Sequence, residues 1–154
     1  MRPWHLAALV SCIVTTAASA QKARDRSKLD PCKILTSSDV ASATKGKVSS
    51  VVGGGAGATA CLWAIDAPSG AGTYQLMLQE PDLIEMVLRA KTPAERGAAV
   101  AGPWSEAWMT PPGGPKGDQY ILVALNRGDV AFEVHGVDKD AVLSLSKTAA
   151  ARLR

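Results

Sequence analysis

His135 and Glu133 are the pair of residues best suited to acid–base chemistry in this sequence. Residues two positions apart on a strand share a face at about 7 Å, so a carboxylate could orient the imidazole. A hydrolase built on this pair would also need a nucleophile, such as Ser105 or Ser146, within hydrogen-bond reach of His135. The alternative is that the apolar alternate positions of the strand face the core. Glu133 and His135 then face water and have no chemical role.

Two cysteines, Cys32 and Cys61, follow the apolar amino-terminal stretch that contains the third, Cys12. We expect Cys32 and Cys61 to form a disulfide, because a mature protein outside the cytoplasm meets oxidising conditions. Closing a loop of about 30 residues would stabilise the fold by roughly 3.5 kcal/mol. A zinc site needs about four ligands, and the two cysteines with His135 supply only three, so no metal or other cofactor is predicted.

Tryptophans supply the most distinctive candidate for a binding surface. On an extended segment, Trp104, Glu106 and Trp108 would fall on one face and could line a shallow groove with one acidic group. The alternative is that these tryptophans pack in the core, as expected for Trp63 beside the disulfide. We predict a ligand- or partner-binding site at Trp104, Glu106 and Trp108.

A glycine-rich stretch from Gly53 to Gly57 superficially resembles a dinucleotide-binding turn. That chemistry requires a helix amino terminus after the turn, whereas the segment from Cys61 to Ile65 has the character of a strand. We therefore predict a flexible loop. The sequence contains no phosphate-binding loop, nucleophile elbow or zinc-protease motif.

The amino-terminal residues 1–20 have the three regions of a secretory signal peptide: Arg2, the apolar run Leu6–Val14 and the small residues Ala18–Ala20. We expect residues 21–28 to form a flexible basic tether and residues 29–154 a single domain. The protein should be periplasmic or extracellular. The alternative is a lipid anchor on Cys12, within a sequence that resembles a lipoprotein cleavage site.

Composition places the chain among ordinary globular domains, with 154 residues, 47% hydrophobic and 20% charged. No apolar run after residue 20 is long enough to span a bilayer. Basic residues concentrate in the predicted tether, at Lys22, Arg24, Arg26 and Lys28, without interleaved aromatic residues. This pattern argues against nucleic-acid binding and leaves weak contact with an anionic surface as their candidate role.

Hydrophobic periodicity predicts an α+β fold. Thr36 caps a helix to about residue 44, Pro81 opens a second helix, and Asp138 caps a third that runs to about residue 153. Strands are predicted over residues 48–52, 61–65, 74–78, 104–109, 120–125 and 130–134. The links between strands are too short for parallel crossovers, so we expect an antiparallel sheet of about five to six strands with helices packed on one face and one disulfide.

Several short segments resemble a known family. Asp30-Pro31-Cys32-Lys33-Ile34-Leu35-Thr36 and Cys61-Leu62-Trp63 are similar to motifs of small secreted or lipid-anchored bacterial domains of the "domain of unknown function 3558" type. The segments 104–108 and 123–136 resemble later motifs of the same family, although Ser105 replaces the usual Asp and Asn126-Arg127 precedes Gly128. The resemblance implies a Mog1/PsbP-like α+β sandwich and a cysteine pair, and it implies no catalytic residue.

Together these observations favour a non-catalytic envelope domain that binds a protein partner or an apolar or polymeric ligand. The alternative is a hydrolase that uses His135 with Glu133.

Overall fold

The computed structural model of the chain describes residues 25–68, 70–113, 117–126 and 130–153. The predicted signal peptide, with Cys12, and the tether residues Lys22 and Arg24 lie outside the described residues. A short 3-10 helix, Arg26–Lys28, precedes the main elements. These are α1 (Pro31–Ile34), α2 (Ser37–Thr44), β1 (Lys47–Gly53), β2 (Ala60–Ala67), β3 (Gly70–Gln79), α3 (Pro81–Ala90), α4 (Pro93–Arg96), β4 (Ala98–Ala99), β5 (Glu106–Thr110), β6 (Tyr120–Leu125), β7 (Ala131–Gly136) and α5 (Lys139–Arg152).

Local hydrogen bonds fix the start of the domain. The Asp30 carboxylate accepts from the Cys32 amide at 3.0 Å and caps α1. At α2 the backbone N–H of Thr36 donates to Asp39 Oδ2 at 2.7 Å, and the Asp39 amide donates back to Thr36 Oγ1. This reciprocal capping box begins α2 where the sequence predicts it. The helix ends at Lys45, which adopts the left-handed conformation (φ 54°).

The described strands form one seven-stranded sheet in the order β1-β2-β3-β7-β6-β5-β4. Every neighbouring pair is antiparallel, as expected from the short links. The sheet therefore consists of two meanders, β1–β3 and β4–β7, which meet only where β3 pairs with β7. In that seam Leu76 lies opposite Val134 and Leu78 opposite Phe132.

Alternation along the strands divides the apolar side chains between the two faces of the sheet. The main core lies on the face covered by α1, α2 and α5, where Trp63, Leu76 and Phe132 are fully buried. A smaller cluster forms on the other face, where Ile84 and Leu88 of α3 pack against β6. Helices therefore pack on both faces of the sheet at β6.

An ion pair joins the last helix to the start of the domain. The Arg152 guanidinium donates to both oxygens of Asp39, at 2.6 and 2.9 Å, and to the Ile34 carbonyl at 2.7 Å. These hydrogen bonds from Arg152 are the main reason that the pKa of Asp39 falls from 3.8 to about 2. The contact holds α5 against α1 and α2.

The predicted disulfide between Cys32 and Cys61 is present, with the two α-carbons 5.3 Å apart. It links α1 to β2, and Trp63 lies buried two residues further along the same face. Gly54, at φ 89°, passes so close to Cys32 that a Cβ at this position would overlap its sulfur atom. The predicted glycine-rich loop therefore packs beside the disulfide. The strand β2 follows it, as predicted, and not the helix that a dinucleotide-binding turn would require.

The fold class is confirmed, with three differences in detail. The sheet has seven strands instead of five to six, because a two-residue strand, β4, follows α4. Helix α3 packs on the face opposite α5, because β6 carries apolar residues on both of its sides. Finally, Arg26 forms an ion pair with Glu80 at 2.7 Å, so the last residues of the predicted tether are anchored to the domain.

Candidate functional site

A groove opens between the β4–β5 edge of the sheet and the first turns of α5. Its volume is about 730 Å³, within the range of small-molecule sites. Mainly small or apolar side chains form its wall: Gly97, Ala98, Ala99, Val100, Ala101, Met109, Pro111, Tyr120, Leu143 and one charged residue, Lys139. The groove therefore offers an apolar surface with a single charge.

The sequence from Thr92 to Ala101 builds one wall of the groove. Thr92 and Glu95 form a capping box that begins α4, and the Thr92 hydroxyl lowers the pKa of Glu95. Gly97 ends this helix at φ 84°, where a Cβ would overlap the carbonyl of Met109. Strand β4 then pairs with β5, so that Ala98 lies opposite Met109. At Gly97 the chain therefore passes too close to β5 to leave room for a side chain.

The floor and rim of the groove differ in polarity. Met109 is 5% exposed and belongs to the main core, and Leu143 and Val100 pack against that core. Lys139, at the first position of α5, is exposed. An occupant would therefore meet apolar atoms at depth and a cation at the water boundary.

The first turn of α5 separates charges of opposite sign. The Asp138 carboxylate caps the helix by accepting from the Ala141 amide at 2.8 Å. Asp138 and Asp140 line a different hollow of about 310 Å³, together with Lys45 and the buried Tyr74. Burial raises the pKa of Tyr74. The acidic residues thus border this hollow, whereas Lys139 borders the apolar groove.

Trp104 lies in the main core instead of on an exposed face. It is 4% exposed, and its indole N–H donates to the Val100 carbonyl at 2.8 Å. Strand β5 begins only at Glu106, after a bend that contains Trp104. The expectation that Trp104, Glu106 and Trp108 share one face is therefore wrong for Trp104, and its placement matches the alternative of core packing.

Glu106 and Trp108 lie on the face of β5 opposite the groove. Glu106 is exposed, and Trp108 is half-buried against the small cluster that contains Ile84 and Ile121. A hollow of about 490 Å³ beside the segment 99–107 is lined by Trp104 and Glu106 but not by Trp108. The structure thus brings two of the three predicted residues to one hollow, and their binding role stays a prediction.

Glu133 and His135 form a hydrogen-bonded pair on the face of β7 that points away from α5. Glu133 Oε2 lies 2.9 Å from His135 Nε2, and the side chains are 19% and 17% exposed. They are closer together than the expected 7 Å and more shielded from water than predicted. The reason is that β7 is an interior strand, where Gln75 and Met77 of β3 lie opposite them.

Neither candidate serine meets the requirement of the hydrolase alternative. Ser146 is buried on α5, on the opposite side of the sheet, and its hydroxyl donates to Val142. The Ser105 hydroxyl donates to Leu125, whose partner on β7 lies four residues, or about 13 Å, from His135. The histidine pair therefore has no serine nucleophile from either predicted position.

Nowhere in the described part of the chain do three or more His, Cys, Asp or Glu side chains form a group able to hold a metal ion. Among the same residues, no helix is long and apolar enough to cross a membrane.

Comparison of the chain with family models, curated proteins and solved structures finds no match. The resemblance to secreted bacterial domains of the 3558 type therefore stays a prediction. The candidate site depends on the geometry of this chain alone.

The apolar groove was not predicted from the sequence. Its signal was the run of small residues from Gly97 to Gly102, which is unusual beside two tryptophan-containing segments. Such a run indicates that the backbone packs closely against another element. It does not indicate that α5, about 40 residues later, forms the opposite wall of the groove.

Proposed function

We propose that this protein is a non-catalytic binding domain of the cell envelope, and that it holds an apolar ligand in the groove between β4 and α5. The observation that carries the proposal is the groove itself: a volume of about 730 Å³ bordered mainly by apolar side chains. Sites of this size and polarity are typical of small-molecule binding. Within the groove wall, no described residue is a histidine, cysteine or carboxylate, which fits binding better than catalysis.

A location outside the cytoplasm is the second part of the proposal. The disulfide supports it, since such bonds persist mainly in oxidising compartments. The predicted signal peptide, residues 1–20, supports it independently. Sequencing the amino terminus of the protein made in its own cell should give Gln21. A lipid-modified Cys12 would instead indicate a membrane anchor, and an unprocessed Met1 would contradict the proposed location.

Binding can be tested with the neutral apolar fluorophore N-phenylnaphthylamine, whose emission rises in an apolar site. We expect saturable binding to the mature chain and its loss in Ala98→Trp. Ala98 is exposed and lies opposite Met109 of β5, on the same face of the sheet. An indole at position 98 should therefore fill the groove. Exposed substitutions usually change the free energy of unfolding by no more than about 0.5 kcal/mol, so the variant should still fold.

The matched control is Ala71→Trp, which adds the same side chain to an exposed alanine of β3 in the other meander. It should bind the fluorophore like the wild type. Absence of saturable binding, or equal binding by the Ala98→Trp variant with a normal thermal melt, would contradict the proposed site.

A further inference from the structure

We infer that the ligand is an anionic amphiphile, with its negatively charged head group at Lys139 and its hydrocarbon part in the groove. This inference depends on the proposed function, because it specifies the ligand of the same groove. It is drawn from the arrangement of charge and apolar surface between the floor and the rim.

Lys139 is the only charged side chain among the described residues that line the groove. A ligand with a positive head group would meet this ammonium directly. A wholly neutral hydrocarbon would gain nothing from it. An anionic group satisfies both the cation and the apolar wall.

The Lys139 ammonium is available to pair with an anionic group of a ligand. Within the described part of the chain, it takes part in no ion pair or side-chain hydrogen bond, in contrast to Lys28 and Lys33, which each lie near an aspartate. Asp138 and Asp140 flank it in sequence but line the other hollow, and Asp138 is occupied as the helix cap. The ammonium can therefore pair with a ligand without breaking an existing contact.

The cation also lies at the end of the groove where a hydrated head group would be. Lys139 is exposed at the rim, whereas Met109 is buried at the floor. Fatty carboxylates and similar amphiphiles have the same order of polarity, with a hydrated anion at one end and an apolar chain at the other.

The inference can be tested by titrating the mature protein with three probes of equal chain length below their micelle concentrations: decanoate, decanol and decyltrimethylammonium. Each displaces the bound fluorophore, so all affinities are measured in one assay. We expect decanoate to bind about three- to tenfold more tightly than decanol, as for an ion pair that solvent partly screens. The cation should bind most weakly.

Substitutions at Lys139 isolate the contribution of its charge. Lys139→Gln should abolish the preference for decanoate over decanol, and Lys139→Arg should retain the preference. The matched control is Lys147→Gln, which removes a charge from an exposed position of the same helix outside the groove. It should behave like the wild type.

The outcomes separate this inference from the proposed function. If decanol and decanoate bind equally, or if the Lys139→Gln variant keeps the preference, the anionic ligand is wrong although the apolar groove stands. If neither the fluorophore nor any of the probes binds, both proposals fail.

Discussion

Replacing Asp39 by Asn should destabilise the domain at neutral pH, and the size of the effect should depend on pH in a defined way. The Asp39 carboxylate accepts two hydrogen bonds from Arg152 and two from Thr36, one from its hydroxyl and one from its backbone N–H. An amide oxygen can still accept from Thr36, so the substitution removes mainly the charge. The variant therefore measures the ion pair between α2 and α5 more than the helix cap.

The magnitude follows from the pKa of Asp39, which hydrogen bonds from Arg152 and, to a smaller extent, from Thr36 lower from 3.8 to about 2. At about 1.4 kcal/mol for each pH unit, a shift of this size corresponds to roughly 2.4 kcal/mol of folding free energy. Because the Arg152 side chain is 42% exposed, solvent screens the pair, and we expect about 1 kcal/mol. A lowered carboxylate pKa stabilises the fold above the unfolded value of 3.8, and this contribution is lost as the pH falls towards 2.

Urea unfolding followed by tryptophan fluorescence, between pH 7 and pH 2, measures this difference. The wild type should exceed the Asp39→Asn variant by a constant margin above about pH 4.5, and the margin should shrink towards zero near pH 2. Asp66→Asn, at an exposed carboxylate of β2, is the control and should change the free energy of unfolding by less than about 0.5 kcal/mol. A margin that persists unchanged to pH 2 would refute the assignment of the stabilisation to the Asp39 charge.

Three further sets of substitutions test particular contacts. Replacing both Cys32 and Cys61 by serine should lower the free energy of unfolding by about 3.5 kcal/mol in chemical denaturation; an equal midpoint for wild type and variant would contradict this. Trp104→Ala should cost about 3 to 5 kcal/mol and Trp108→Ala about 1 to 2 kcal/mol in the same assay, since only Trp104 is fully enclosed; the reverse order would show that the assignment of burial is wrong. Gly97→Ala should lower the melting temperature and weaken fluorophore binding, because its φ of 84° and its approach to β5 exclude a side chain; a variant that melts and binds like the wild type would contradict that role.

Local sequence patterns predicted the helices and strands of this fold well. The signals that begin these elements, such as helix caps, lie within a few residues of one another. The capping pair Thr36 and Asp39, the proline at position 81 and the cap at Asp138 each mark a helix that the structure confirms. The disulfide was predictable because only two cysteines follow the predicted leader.

The site was less predictable because it depends on contacts between distant segments. Trp104 was assigned to a strand from alternation alone, whereas the bend at residues 102–105 turns its indole towards the carbonyl of Val100. From the sequence, Lys139 could be placed only at the start of a helix. That it lines the same groove as Ala98 follows from packing across the sheet edge. Periodicity indicates which side of an element is buried, but it does not indicate which element lies against that side.

The seam between β3 and β7 also determines when the sheet can be completed during synthesis. Strand β3 ends at Gln79, and its partner begins at Ala131, so about 50 residues must be added before the two can pair. At roughly 5 to 20 residues per second, this takes about 3 to 10 s. Throughout that interval the edge of β3 over residues 75–79, which later pairs with β7, has no ladder partner, and such edges pair readily with other chains. Until β7 has been added, a chain that folds as it emerges therefore exposes this edge, and aggregation is most favoured while the first meander exists without the strands that cover it.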